Sequence, residues 1–335
     1  MKKEKPAKES GSTLQQTLKE IRSKFGDESI MTLNEKPNVD VDALTTGSIG
    51  LNAALGIGGL PRGRIIEIFG LESSGKTTLA LTVVAQAQRK GQECAFIDAE
   101  HGMDPQYAKK LGVDIDKLLI SQPDNGEQAI NIVDALVRGG KVGVIVIDSV
   151  AALTPKAELE GDIEEQKPGA LARLMSKSMR VLAGSVAKSD TIVIFINQVR
   201  QSMMTFGGAN PEFTPGGKAL KFWSSIRLEI KRIATIKKGE EPVGSRVRIK
   251  VVKNKVAAPF KQTELDVMFN EGFSREGELI ALGEQFKVIT KSGQSYEFGD
   301  NKLGRGYDAT RIFLRENPEL ADEITKAVLA EMAKM

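Results

Sequence analysis

The chain has 335 residues, 41% hydrophobic and 27% charged, a globular balance with enough apolar material for one large or two to three ordinary domains. The net charge is only +3, so any nucleic-acid surface must come from local clustering of cations rather than from bulk charge. The single cysteine, Cys94, excludes an internal disulfide and suits a reducing cytoplasm; no run reaches the length of a membrane span, and Met1-Lys2-Lys3-Glu4-Lys5 is not followed by the apolar stretch of a secretory signal.

Residues 1–13 read as a polar tail. From Thr13, Leu14, Leu18, Ile21 and Phe25 form one helical stripe, which Ser12 or Thr13 would cap and Gly26 would end. Whether this helix folds back on its own core or docks on another subunit is open at this level. Asn34 to Asn38 is a polar hinge around Pro37. Three parts are expected: a tail and helix over 1–37, a core over 38–273 and a small α/β domain over 274–335.

Past a glycine-rich turn, Gly56-Ile57-Gly58-Gly59-Leu60-Pro61, residues 64–69 read as a buried strand. They feed Gly70-Leu71-Glu72-Ser73-Ser74-Gly75-Lys76-Thr77, a match to Gly-x4-Gly-Lys-[Ser/Thr], and a helix leaves from Thr78. The glycines let successive N–H groups turn inward toward phosphate oxygens, and the helix N-terminus adds partial positive charge. Lys76 can reach the outer phosphates and the Thr77 hydroxyl can ligate Mg2+. A strand before the loop and a helix after it make a chance glycine turn a poor explanation.

Further strands are expected at 94–98, 142–148 and 191–197, with helices over 127–138 and about 170–187. Unbroken apolar strands alternating with helices predict a mostly parallel sheet flanked by helices on both faces, the P-loop NTPase class. After about 225, shorter alternating strands near 227–230, 246–253 and 263–269 read as an antiparallel extension. Two helical stretches, 278–290 and 308–333, close the chain.

Ligands gather at the carboxyl ends of strands in open α/β sheets. Those ends carry the P-loop, Glu100, Asp148 and Gln198. Asp148, closing an otherwise apolar strand, suits support of a metal ion, against the alternative of a helix N-cap. Glu100 is a candidate to take a proton from attacking water, against an ordinary surface glutamate. Gln198 could touch the terminal phosphate, or simply satisfy a strand end.

Residues 96–101 (Phe-Ile-Asp-Ala-Glu-His), 146–155, 195–198 (Phe-Ile-Asn-Gln) and 251–260 (Val-Val-Lys-Asn-Lys-Val-Ala-Ala-Pro-Phe), with the P-loop itself, resemble those of the bacterial RecA recombinase family, in order, from about residue 14 to 320. The resemblance implies that Lys76 and Thr77 bind the phosphates and Mg2+ of ATP, that Glu100 activates water and that Asp148 supports the metal. It implies that Asp104 and Tyr107 recognise and stack the adenine, although Tyr107 by itself reads as a core-packing helix residue. It implies that Gln198 couples the terminal phosphate to the following loop. Lys253 and Lys255 would reach the ATP site of the adjacent subunit and neutralise transition-state charge; by themselves they read as solvated lysines on one strand face.

Two segments would touch DNA by the same resemblance. The first, from about Glu160 to Gly169, holds Asp162, Glu164 and Glu165, so it is no simple phosphate clamp. The second, from about Arg200 to Phe213 with Phe206 central, leads into Gly216 and Gly217. Between Val199 and Arg232, Arg200, Lys218, Lys221, Arg227, Lys231 and Arg232 outnumber Glu212 and Glu229, a modest basic patch to which Arg173 and Arg180 could add. Two departures from the family pattern stand out. The second loop is longer by a residue, with Phe213 and Pro215 where small hydroxylated residues are common. The chain ends at Met335 without a long acidic tail.

The function implied is a DNA-dependent ATPase that polymerises on single-stranded DNA, pairs it with duplex DNA and exchanges strands. Stimulated self-cleavage of a LexA-type SOS repressor is implied as well. A hexameric helicase on the same core and a nucleotide-gated coat needing no hydrolysis are the alternatives; a small-molecule P-loop kinase is more distant, since no acceptor-substrate lid is evident. Closed rings without strand exchange would mark the first, and indifference to Glu100→Gln the second.

Overall fold

The computed structural model describes residues 10–32, 42–161, 167–201 and 212–334. The hinge at 34–38, the acidic residues Asp162, Glu164 and Glu165, and Phe206 lie outside the described residues. The chain divides into two units, residues 1–42 and 43–335.

In the first unit, helix α1 (Ser10–Phe25) is followed by a 3-10 turn at Asp27–Ser29. Gly26, at φ 97°, ends the helix as expected, and Arg22 Nε donates to the Ile30 carbonyl at 3.2 Å. The expected cap is wrong: the helix begins at Ser10, so Ser12 and Thr13 lie inside it. Extending a helix costs far less than nucleating one, so the turn runs upstream of its apolar stripe.

The second unit is built on strands β1 (Ile65–Gly70), β2 (Glu93–Asp98), β3 (Leu118–Ser121), β4 (Val142–Asp148), β5 (Ile192–Gln198), β6 (Ile226–Lys238), β7 (Glu241–Asn254), β8 (Gln262–Met268) and β9 (Gly272–Phe273). They form one nine-stranded sheet in the order β9-β8-β7-β6-β1-β5-β4-β2-β3. From β6 through β3 every pairing is parallel, and from β6 through β9 every pairing is antiparallel.

Successive residues of a strand face opposite sides of a sheet, and both sides here are apolar. Ile66, Ile68, Phe96, Val146 and Ile194 pack under helix α3 (Lys76–Arg89), and helix α2 (Ile49–Leu55) joins the same core over β7 and β8. Ile65, Ile97, Ile145, Val193 and Phe195 pack under α5 (Gly126–Gly139) and α6 (Ala170–Val186). Helix α4 (Pro105–Lys110) follows β2, and the short α7 (Ala219–Trp223) precedes β6. Cys94 is buried in this core, its thiol pushed up to about 12 by loss of solvent. Strand β3 escapes sequence reading because it is a short edge with Leu119 and Ile120 exposed.

Past residue 274, α8 (Arg275–Gln285), α9 (Tyr307–Glu316) and α10 (Pro318–Met332) enclose a three-stranded sheet of β10 (Thr290–Ser292), β11 (Ser295–Phe298) and β12 (Asn301–Arg305) around Ile280, Leu303, Leu314 and Ile324. The expected helix over 278–290 starts earlier and stops at Gln285, with Lys287 turned to φ 57°. The expected single helix over 308–333 is two, broken before Pro318, whose missing N–H and ring exclude a continuous helix. Buried Glu278 on α8 accepts from Ser48 Oγ at 2.6 Å, Gly50 N at 2.8 Å and Ile49 N at 3.2 Å, fixing the start of α2.

Candidate nucleotide site

Strand β1 ends at Gly70, between the Gln198 end of β5 and Ile230 of β6. A side chain on Gly70 would run into the Ile230 carbonyl, so only glycine lets the loop leave the sheet here. Gly75, at φ 95°, closes the turn onto α3. Leu71, Glu72 and Ser73 are exposed, whereas Ser74, Lys76 and Thr78 are buried. The Lys76 ammonium donates to the Leu71 carbonyl at 2.7 Å, across the loop. Burial lowers its pKa from the ordinary lysine value, against the pull of Asp148, Glu100 and Glu72. The Ser74 hydroxyl is buried without a hydrogen-bond partner among the described residues, a polar atom left over inside the cradle.

Thr77 Oγ1 donates to Asp148 Oδ2 at 2.7 Å. Burial first, then the Glu100 charge, pushes the Asp148 carboxyl up to about 6, while the Thr77 hydrogen bond and Lys76 pull the other way. Asp148 is therefore bound to the P-loop, and the N-cap position of the following 3-10 turn belongs to Ser149. One hydroxyl and one carboxylate in contact suit a hard divalent cation that takes its remaining ligands from phosphates and water. Among the described residues no cluster of three or more His, Cys, Asp or Glu could hold a metal by itself.

Glu100 follows β2, in the turn that Ala99 N anchors to the Asp148 carbonyl at 2.8 Å. Its Oε1 accepts from Ser149 Oγ and, at 3.0 Å, from Gln198 Nε2. The carboxylate and the amide from two strand ends thus meet beside Thr77 and Asp148. The turn is set by Asp98, which sequence reading left aside as a strand end: buried, it accepts from Gly102 N at 3.1 Å, Met103 N at 3.3 Å and Gln122 Nε2 at 3.0 Å. The clue was available, since Asp98 and Asp148 both end apolar strands and lie side by side in register.

Asp104 caps α4, accepting from Gln106 N at 2.8 Å and Tyr107 N at 3.2 Å. Tyr107 packs on the core, as its sequence position suggests, while its hydroxyl lies 2.9 Å from Thr78 Oγ1 at the start of α3. Lys253 and Lys255 are not freely solvated. Lys253 Nζ donates to the carbonyls of Lys221 at 2.6 Å and Phe222 at 2.9 Å, and Lys255 Nζ to Phe222 at 3.3 Å. Both ammoniums sit on the last turn of α7, where a helix presents partial negative charge.

Of the residues expected on DNA, Gly169 is the N-cap of α6 at φ 75°, and Arg173 and Arg180 stand exposed on that helix. Gly216 and Gly217 are consecutive at φ 82° and 73°. Side chains there would meet Met175 and Val150, and Ala172, at 3.0 Å, so the exit of the second segment lies on α6. Arg200–Gln201 and Glu212–Phe213 pair antiparallel at its base, with Arg200 exposed. Arg227 departs from the expected basic patch: its Nε donates to the fully buried Glu67 at 2.5 Å and its guanidinium lies 4.4 Å from the centre of the Phe69 ring. A charge spent on a buried partner is lost to the surface.

A family model described as the RecA N-terminal domain matches residues 12–274, and one described as the RecA C-terminal domain matches residues 277–333. A curated relative from Campylobacter jejuni, named Protein RecA, is 55% identical over 320 residues, covering 96% of this chain and 93% of its own. Protein RecA of Gluconobacter oxydans is 55% identical over 318 residues, with 95% and 92% covered. That of Parvibaculum lavamentivorans is 56% identical over 318 residues, with 95% and 87% covered. A solved RadB recombinase superposes with a TM-score of 0.51 over 69% of this chain and 98% of its own, and at 22% identity attests a shared fold. The chain belongs to the RecA family of recombinases, DNA-dependent ATPases that bind DNA, assemble with copies of themselves and act in recombination and repair.

Proposed function

We propose that the substrate is ATP with Mg2+ and that hydrolysis is carried by the residues gathered at the ends of β1, β2, β4 and β5. The observation that supports this most is the contact of Gln198 with Glu100 beside the Thr77–Asp148 pair. P-loop N–H groups and Lys76 would hold the phosphates, with Lys76 exchanging the Leu71 carbonyl for phosphate oxygen. Thr77 and Asp148 would hold Mg2+, which supplies charge neutralisation at the phosphates. Glu100, steadied by Ser149, would orient water and accept its proton. Gln198 would bond the terminal phosphate when it is present and Glu100 when it is not, so the strand end feeding the second DNA segment reports the nucleotide. Asp104 and Tyr107 would read the adenine.

Lys253 and Lys255 would leave the carbonyls of α7 for the phosphates of a neighbouring subunit, making turnover depend on assembly. Helix α1, with Leu14 and Phe25 exposed, would serve that assembly. Residues 1–37, 38–273 and 274–335 would act as polymerisation segment, ATPase core and C-terminal domain. DNA would lie along Gly169, Arg173, Arg180, Arg200, Phe206, Gly216 and Gly217, first as a single strand and then with a duplex for exchange. Stimulation of a LexA-type repressor and a cytoplasmic location belong to the same reading; among the described residues no helix is long and apolar enough to cross a membrane. The test is ATP turnover with and without single-stranded DNA, paired with strand exchange and with Lys76→Ala as control. DNA-stimulated turnover lost in the variant is expected. Turnover indifferent to DNA in the parent chain would refute the scheme.

A further inference from the structure

The proposed chemistry makes no use of Glu67, yet this carboxylate is wholly buried in the middle of β1, just upstream of the P-loop. A buried charge is costly unless paired and hydrogen-bonded, and Glu67 is held from both sides. Its Oε1 accepts from Asn197 Nδ2 at 3.1 Å and its Oε2 from Arg227 Nε at 2.5 Å. Asn197, also fully buried, is a junction in turn. The same Nδ2 donates to the Pro215 carbonyl at 3.1 Å, and Oδ1 accepts from the Gln198 main-chain N at 3.0 Å. On the other side, Arg227 faces Lys253 in the β6–β7 register.

The Asn197 amide is planar, so its three bonds form a rigid link from the Gln198 main chain to Pro215, which precedes Gly216 and Gly217. Of the two acceptors that Asn197 Nδ2 meets among the described residues, Glu67 is the one that belongs to neither of the segments being linked. Without that acceptor the bonds to Pro215 and Gln198 alone restrain the amide's last torsion, which is broad, and the link is looser. The carboxylate also binds Arg227, so the strand bearing Lys253 is tied to the same point.

We infer that Glu67 is a positioning residue for DNA-stimulated hydrolysis, holding Asn197 and Arg227 so that Gln198, the exit of the second DNA segment and the Lys253 strand move together. This rests on the roles given above to Gln198 and to the segment ending at Gly217.

The test uses the full chain carrying Glu67→Gln. A glutamine oxygen can serve Asn197 or Arg227 but not both, and its NH2 faces the donor left over. Three quantities are read: affinity for a fluorescent ATP analogue, turnover with and without oligo(dT), and oligo(dT) affinity with and without ATP. Nucleotide affinity is expected to stay within about twofold, while DNA stimulation and the ATP-induced gain in DNA affinity each fall about tenfold, a typical loss of coupling between sites. Unchanged stimulation, or nucleotide affinity and DNA-independent turnover falling in step with coupling, overturns the inference. If Glu67→Gln does not fold, the double variant Glu67→Met with Arg227→Met removes both charges, keeps a side chain against Phe69, and carries the same expectation. Gln198→Ala is the companion. If it uncouples DNA from turnover and Glu67→Gln does not, the inference alone fails; if both stay coupled, the underlying reading of Gln198 fails.

Discussion

Replacing Glu100 with glutamine separates chemistry from scaffolding. In the parent chain Oε1 accepts from Ser149 Oγ and Gln198 Nε2, and a glutamine oxygen at that position can accept both bonds. The turn itself hangs from Asp98 and the Asp148 carbonyl, which the change leaves alone. If Glu100 only positioned Gln198, weakening that contact would forfeit about 1 kcal/mol, or roughly fivefold in rate. If Glu100 accepts the water proton, the loss is about 10²–10⁴-fold, roughly 3–5 kcal/mol of barrier. The two magnitudes do not overlap. Phosphate release under saturating DNA and ATP measures the rate, and a fluorescent ATP analogue measures binding. The expected variant binds nucleotide within about twofold of the parent, turns over at least about a hundredfold more slowly, and stays on single-stranded DNA longer. A fall of less than about tenfold would refute the assignment of Glu100 as base.

Glu278→Ala leaves three donors at the start of α2 without their acceptor and should destabilise the chain by about 3 kcal/mol, with Glu278→Gln milder; urea unfolding measures both, and a change below about 0.5 kcal/mol refutes the role. Lys253 has its pKa brought down to about 8, first by burial and then by Lys255 and Arg227. The ammonium is therefore charged in the free subunit below about 8 and loses its proton above it, whereas a phosphate contact would keep it protonated. ATP-driven assembly should accordingly take up protons and weaken as pH rises through about 8; calorimetry in buffers of different ionisation enthalpy measures the uptake, which Lys253→Met should abolish. Arg173→Ala with Arg180→Ala should lower the salt dependence of single-strand binding by roughly 0.7 per lost phosphate contact, equally for all sequences. An unchanged slope would take α6 off the DNA.

Much of the site was legible because its signals are local. Gly70 and Gly75 announce the turn from strand to helix, and the apolar runs ending at Asp98 and Asp148 announce buried strands with polar ends. Glu100 and Gln198 were legible as candidates by the same logic. What escaped reading depended on neighbours. Strand β3 is a four-residue edge with half its side chains in solvent, so it carries no clear period. Arg227 reads as one more surface cation until its buried partner is known. The helix expected across residue 317 fails at Pro318, whose ring and missing N–H exclude a continuous helix.

Residue order alone determined that the chain would build a glycine-bounded loop between a strand and a helix, a set of doubly buried strands and an antiparallel extension, because backbone preferences and apolar periodicity act over a few neighbouring residues. Tertiary structure decided which strand ends meet. Setting β1 between β5 and β6 brings Glu67 to Asn197 and Arg227, and setting β5 beside β1 and β4 lets Gln198 reach Glu100 across 98 residues of chain. Lateral strand order is settled by packing two apolar faces under their helices, a property of the whole sheet that no short stretch of sequence contains.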